Sequence, residues 1–136
     1  MQGGANAQFS LTVNNLDTDG HVAFSNTGYW SAKAIADASR LTQVTTVCDL
    51  TEQPQLSIPE SGQWQIPGSA SYLHITDNET IDGIVFDKTP ETTLPLVCDM
   101  SSSILSRPVD IESYAMIYAG AQKNICLLYT SPSPRD

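Results

Sequence analysis

Short apolar runs separated by polar and turn-forming residues organise this chain. Val22 to Phe24 reads as a strand that ends at Ser25-Asn26-Thr27-Gly28. From Tyr29 to Leu41, the residues Trp30, Ala34, Ile35, Ala38 and Leu41 recur at helical spacing and predict a helix. Val44 to Val47 is wholly β-branched and predicts a second strand. The stretch from Thr51 to Ser71, rich in Pro, Ser, Gln and Gly, has no period and predicts a long loop with one short strand at most. Compact apolar runs follow at Tyr72–Ile75, Gly83–Phe86, Leu94–Cys98 and Ala115–Ala119. Near the start, the small-residue run Gly3 to Phe9 predicts a tight turn feeding Ser10–Val13, a segment too short to separate helix from strand.

Continuous apolar strands, as opposed to alternating ones, imply a sheet covered on both faces. The expected fold class is therefore α/β, a mainly parallel sheet with flanking helices. In such sheets ligands sit beyond the carboxyl ends of the strands, which directs attention to the residues after each run.

Composition narrows the function classes. A chain of 136 residues supports one modest core, so a single domain or part of one is expected. Six basic against fifteen acidic residues give a net charge of -9 and no basic stripe to replace phosphate counterions, so nucleic acid is not an expected partner. The apolar runs are too short to span a bilayer, and a soluble, cytoplasmic protein is expected. Cys48, Cys98 and Cys126 lack metal-ligand or C-x-x-C spacing and are read as small buried hydrophobes.

Asp99 closes one apolar run and Lys123 follows another, so neighbouring strands would bring an acid and an amine to one site. Taken singly, each has a bland reading: a turn residue or helix cap for the Asp, a solvated side chain for the Lys. Pyridoxal 5'-phosphate gives a physical reason for the pair, because it needs an amine to hold its aldehyde and a carboxylate to keep its ring nitrogen protonated. Its phosphate would suit the backbone amides of the small-residue turn, and its ring face would suit Trp30. From periodicity alone, Trp30 is equally well the hydrophobic anchor of its helix.

Four segments together, Gly28-Tyr29-Trp30, Asn78-Glu79-Thr80-Ile81-Asp82-Gly83, Leu105-Ser106-Arg107-Pro108 and Tyr118-Ala119-Gly120-Ala121-Gln122-Lys123-Asn124, resemble the phosphoserine aminotransferases in order and spacing. These are class V aminotransferases of fold type I, and the resemblance runs from Gln2 to about Ile125. It implies part of a large cofactor-binding domain, with Lys123 forming the Schiff base and moving the substrate proton. It further implies that Gln122 and the amides of Ala5 and Asn6 bind the cofactor phosphate, Thr80 the ring hydroxyl region, Asp99 the pyridinium nitrogen and Trp30 the ring face. The chain departs from the family at Ala5, Asn6 and Ala7, where glycine, often arginine, and glycine are common, so an arginine's charge is missing. Arg107 is read as one half of a structural ion pair near a turn and is left out of the site.

The implied reaction moves an amino group between L-phosphoserine and 2-oxoglutarate, giving 3-phosphohydroxypyruvate and glutamate, in serine and also pyridoxine biosynthesis. The implied assembly is a homodimer whose active site is shared between subunits. Residues 126–136, from Cys126 to Asp136, match nothing in the family and read as a translated sequencing adapter, so residues 1–125 are expected to be a domain fragment truncated at both ends and inactive alone. The alternatives are another class V enzyme of the same cofactor and a non-catalytic α/β binding module.

Overall fold

A computed structural model describes residues 4–51, 57–120 and 122–125. The expectations for Gly3, Ala121, Cys126 and the 126–136 tail lie outside the described residues. The first apolar element is a helix, α1 (Asn6–Leu16), which buries Phe9, Thr12 and Val13 on one stripe at helical spacing. Asp17 ends it and ties it to the sheet: its carboxylate accepts from the amides of Gly20 and His21 and from the Ser71 hydroxyl.

Strand β1 (His21–Asn26) leads into helix α2 (Tyr29–Ala38), which returns the chain for β2 (Gln43–Asp49) to pair parallel with β1. The helix stops short of the expected Leu41. The Leu41 amide turns back to the Ala38 carbonyl at 2.9 Å, and its side chain stays about half exposed in the reversal that β2 requires. The remaining strands are β3 (Leu73–Thr76), the short pair β4 (Asn78–Glu79) and β5 (Ile84–Val85), then β6 (Leu96–Asp99) and β7 (Met116–Tyr118). Among the described residues the main sheet runs β2-β1-β3-β6-β7 and every pairing in it is parallel.

The run Gly83–Phe86 is not part of that sheet, contrary to the expectation of a covered strand. Ile84 and Val85 form an antiparallel hairpin with Asn78 and Glu79, Gly83 takes φ +72 in the turn, and Val85 stays exposed. Phe86 is buried in the core and Ile84 packs against it, partly buried. The Thr51–Ser71 loop likewise carries no strand among its described residues, only a 3-10 turn at Ser61–Gln63.

Side chains alternate across the sheet and divide the core in two. Val22, Phe24, Tyr72 and Val97 meet Phe9, Val13, Ala34 and Ala38 of the two helices. On the opposite face Ala23, Leu73, Ile75, Leu96 and Cys98 are covered by irregular chain through Trp64, Phe86 and Met100. Both faces are thus covered, but both described α-helices lie on one of them. Phe24 sits at the centre of the helix side, fully buried and stacked on His74 at 4.6 Å between ring centroids. Its replacement by alanine should lower the unfolding free energy by about 3–5 kcal/mol in urea denaturation, a loss no surface residue of the sheet would produce.

Candidate functional site

Three strands end side by side. The register places Thr76 of β3 opposite Asp99 of β6, and Asp99 opposite Tyr118 of β7. Period-two alternation then turns Asp99 toward the helix side of the sheet, the same side as Val97. The chain beyond β7 folds back across these ends. The Gly120 amide donates to Ser101 Oγ at 2.9 Å, and Ser101 in turn donates to Asp99 Oδ1 from its amide, at 2.8 Å, and from its hydroxyl. A Cβ at Gly120 would lie 2.7 Å from Gln122 Oε1 and 3.1 Å from the Ala5 methyl, so a side chain there would press on two residues of the site.

The result is one open pocket, lined by Ala5, Asn6, Trp30, Asp99, Gln122 and Lys123. Thr80 stands at its rim and joins two of them: its Oγ1 accepts from Trp30 Nε1 at 3.1 Å and from Lys123 Nζ at 3.3 Å. Lys123 Nζ lies 4.9 Å from the centroid of the Trp30 ring. All seven residues singled out from the sequence are therefore gathered in one place. Trp30 belongs to the pocket and not to the core of α2, whose buried positions are Ser31, Ala34 and Ala38.

Asp99 is the electrostatic centre of the site. Burial pushes its carboxyl above the ordinary range, with the negative charge of Glu79 adding to the effect, while the two Ser101 donors and the Lys123 ammonium pull it down. The two helix N-termini differ. At α1 no side chain caps Ala5 and no acid stands in the first turn, whereas the amides of Tyr29, Trp30 and Ser31 at the start of α2 are met by carboxylates of Asp82 and Glu79. Of these two termini, α1's is the one left to attract an external anion. Thr76 Oγ1, which lines the pocket, is buried and lacks a hydrogen-bond partner, as a site built for a polar guest would have it. These features fit a phosphorylated, ring-nitrogen cofactor held by an amine.

Sequence reasoning missed Ser101 and Thr76, and assigned no role to Glu79 and Asp82 although they lie in one of the four segments. An Asp followed two residues later by Ser is a turn signal that would have flagged Ser101. Helix α2 begins with Gly28-Tyr29-Trp30, with no acid of its own, a hint that its donors must be met from elsewhere. Arg107 behaves as expected: its Nη2 lies 2.7 Å from Oδ1 of the buried Asp77, apart from the pocket.

Residues 1–127 match the family model described as aminotransferase class-V. The chain is 47% identical over 127 residues to a phosphoserine aminotransferase of Pseudomonas fluorescens, covering 92% of this chain and 35% of that protein. It is 48% identical over 126 residues to the one from Vesicomyosocius okutanii, with the same coverage. Among solved structures it resembles the phosphoserine aminotransferase of Bacillus circulans, at 37% identity and a TM-score of 0.83 over 91% of this chain and 35% of that one. It also resembles that of Trichomonas vaginalis, solved with pyridoxal phosphate bound, at 36% identity and a TM-score of 0.79 over 90% of this chain and 35% of that one. The chain thus spans about a third of the length of the relatives it matches.

The raised Asp99 carboxyl has a stability consequence. Since the native state holds this proton more tightly than the unfolded chain, whose value is near 3.8, ionised Asp99 withholds stability that returns as pH falls through the raised value. Asp99→Asn keeps an acceptor for Ser101 and removes the buried charge. Without added cofactor it should raise the thermal midpoint at pH 7 by a few degrees, a gain that shrinks on acidification toward pH of about 4.

Proposed function

Since the chain belongs to the class-V aminotransferases, we propose that its pocket holds pyridoxal 5'-phosphate in a protein that exchanges an amino group between L-phosphoserine and 2-oxoglutarate. The products are 3-phosphohydroxypyruvate and L-glutamate. The observation that carries this reading is the meeting of Lys123, Asp99 and Trp30 in one pocket at the carboxyl ends of a parallel sheet. The names of the relatives support it.

Bound there, the cofactor would supply an aldehyde for capture by an amine and a protonated ring that draws electron density from the substrate carbon. Lys123 Nζ is the amine for that capture and the group that carries the proton to and from that carbon. Asp99 holds the proton at the ring nitrogen; buried, and braced by Ser101, it acts as a fixed counter-charge and not as a base. Trp30 covers the ring face and keeps water from it. Amides of Ala5 and Asn6 at the open end of α1, with Gln122 beside them, bind the phosphate. Thr80 bonds the ring hydroxyl region from its place between Trp30 and Lys123.

Three finer readings belong to the same proposal. Residues 1–125 are part of the cofactor-binding domain. The open side of the pocket suits a homodimer in which a second subunit completes the site. Cytoplasmic residence is supported by Cys48 and Cys98, both free thiols.

The test uses the complete protein that carries this chain. Added pyridoxal 5'-phosphate should produce a visible absorbance band, and borohydride trapping with mass spectrometry should place the label on Lys123. Lys123→Ala should abolish the label and lower kcat for phosphoserine by roughly a thousandfold or more. Phosphoserine should exceed serine, alanine and cysteine as amino donor, and a preference for cysteine would move the protein to another branch of the family.

A further inference from the structure

Glu79 is fully buried, yet no step of the reaction described above uses it. Its two oxygens are divided between neighbouring amides of α2, Oε2 accepting from Trp30 at 2.8 Å and Oε1 from Ser31 at 2.7 Å. Asp82, in the turn of the same hairpin, takes the Tyr29 amide at 2.8 Å. The first three donors of the helix are therefore met by carboxylates from one hairpin, in the place where the helix dipole favours negative charge. The fit is close. A Cβ on Gly28 would collide with Asp82 Oδ2 and sit 2.8 Å from Glu79 Cγ, so that position admits no side chain without displacing them.

What this clamp joins is telling. Trp30 lies in the first turn of α2, and Thr80 follows directly on Glu79 in the hairpin. The backbone of one and the chain neighbour of the other are locked by the same carboxylate, and their side chains then meet in the Trp30 Nε1 to Thr80 Oγ1 hydrogen bond at 3.1 Å. Ser31 reinforces the corner, accepting at Oγ from the amides of Thr27 and Gly28.

We propose that Glu79 is a positioning residue: by clamping the N-terminus of α2 to the β4–β5 hairpin it sets Trp30 and Thr80 at the spacing a planar ring requires. The proposal rests on the cofactor reading given above and adds to it a residue that never touches the ring. A helix cap alone would be served by a serine or aspartate at Gly28. Using a buried glutamate from another element couples two ring-contacting residues at once, at the expense of desolvating a charge that only those amides and the helix dipole offset.

The test measures cofactor affinity in the complete protein for Glu79→Gln, Trp30→Phe and the double variant. Glutamine keeps the shape but replaces one acceptor by a donor facing an amide. Glu79→Gln should weaken pyridoxal 5'-phosphate binding by about tenfold or more, and by less than about threefold when Trp30 is already Phe, because the two act through one contact. Equal losses in both backgrounds, or a loss under about twofold, would overturn the proposal.

A second readout needs no cofactor: hydrogen exchange at the Trp30 and Ser31 amides should quicken by about a hundredfold in Glu79→Gln while the sheet amides stay protected. Gly28→Ala, which pushes on the same carboxylates from the other side, should do likewise if Glu79→Gln does not fold. Unchanged exchange in a folded variant refutes the clamp. If wild-type protein binds no pyridoxal 5'-phosphate the cofactor reading falls by itself, and the exchange result alone then decides whether Glu79 sets this corner.

Discussion

Parallel pairing of β3, β6 and β7 puts Thr76, Asp99 and Tyr118 in one row at the carboxyl edge of the sheet. The pocket that holds Lys123 and Trp30 is arranged around the first two of them. A one-residue slip of β6 would turn Asp99 to the face covered by Trp64, Phe86 and Met100, away from the pocket that Lys123 and Trp30 line, and would turn Cys98 toward the helices in its place. The register is held by burial on both faces, since each central strand is closed off by an apolar layer above and below. The position of one carboxylate is thereby a by-product of packing across the whole sheet.

Among the described residues the buried carboxylates are Asp77, Glu79 and Asp99, and each meets its desolvation differently. Asp77 pairs with the Arg107 guanidinium and accepts from Ser103. Glu79 relies on the amides and dipole of α2. Asp99 has the two donors of Ser101 and a more distant lysine, and burial outweighs them. The least compensated of the three is the one that lines the pocket. This is the pattern expected where an active site holds strain that the surrounding structure supports, and where a ligand with a cationic ring nitrogen would relieve it.

Much of the architecture was legible because it follows from local pattern. The β-branched run at Val44 and the apolar runs at Tyr72, Leu94 and Ala115 become strands of one parallel sheet, and the periodic stretch after Gly28 becomes α2. The run at Gly83–Phe86 misled because hydrophobicity does not distinguish a sheet strand from one arm of a hairpin; the left-handed turn at Gly83 folds it back on Asn78 and Glu79. Ser10–Val13 was ambiguous over four residues and resolves as helix only when Phe9, Thr12 and Val13 find a sheet to cover.

The sequence by itself determined which groups were available: a lysine and an aspartate after apolar runs, a tryptophan opening a helix, a turn of small residues, and a four-segment likeness to one family. It determined these because residue type and spacing along the chain carry them. Only the tertiary structure decided that Trp30 belongs to the pocket and not to the core, that Ser101 orients Asp99, and that Glu79 and Asp82 supply the cap α2 lacks. Apart from Ser101, which stands two residues from Asp99, those decisions join residues about 50 positions apart, and they depend on strand register and close backbone approach, which no local pattern encodes.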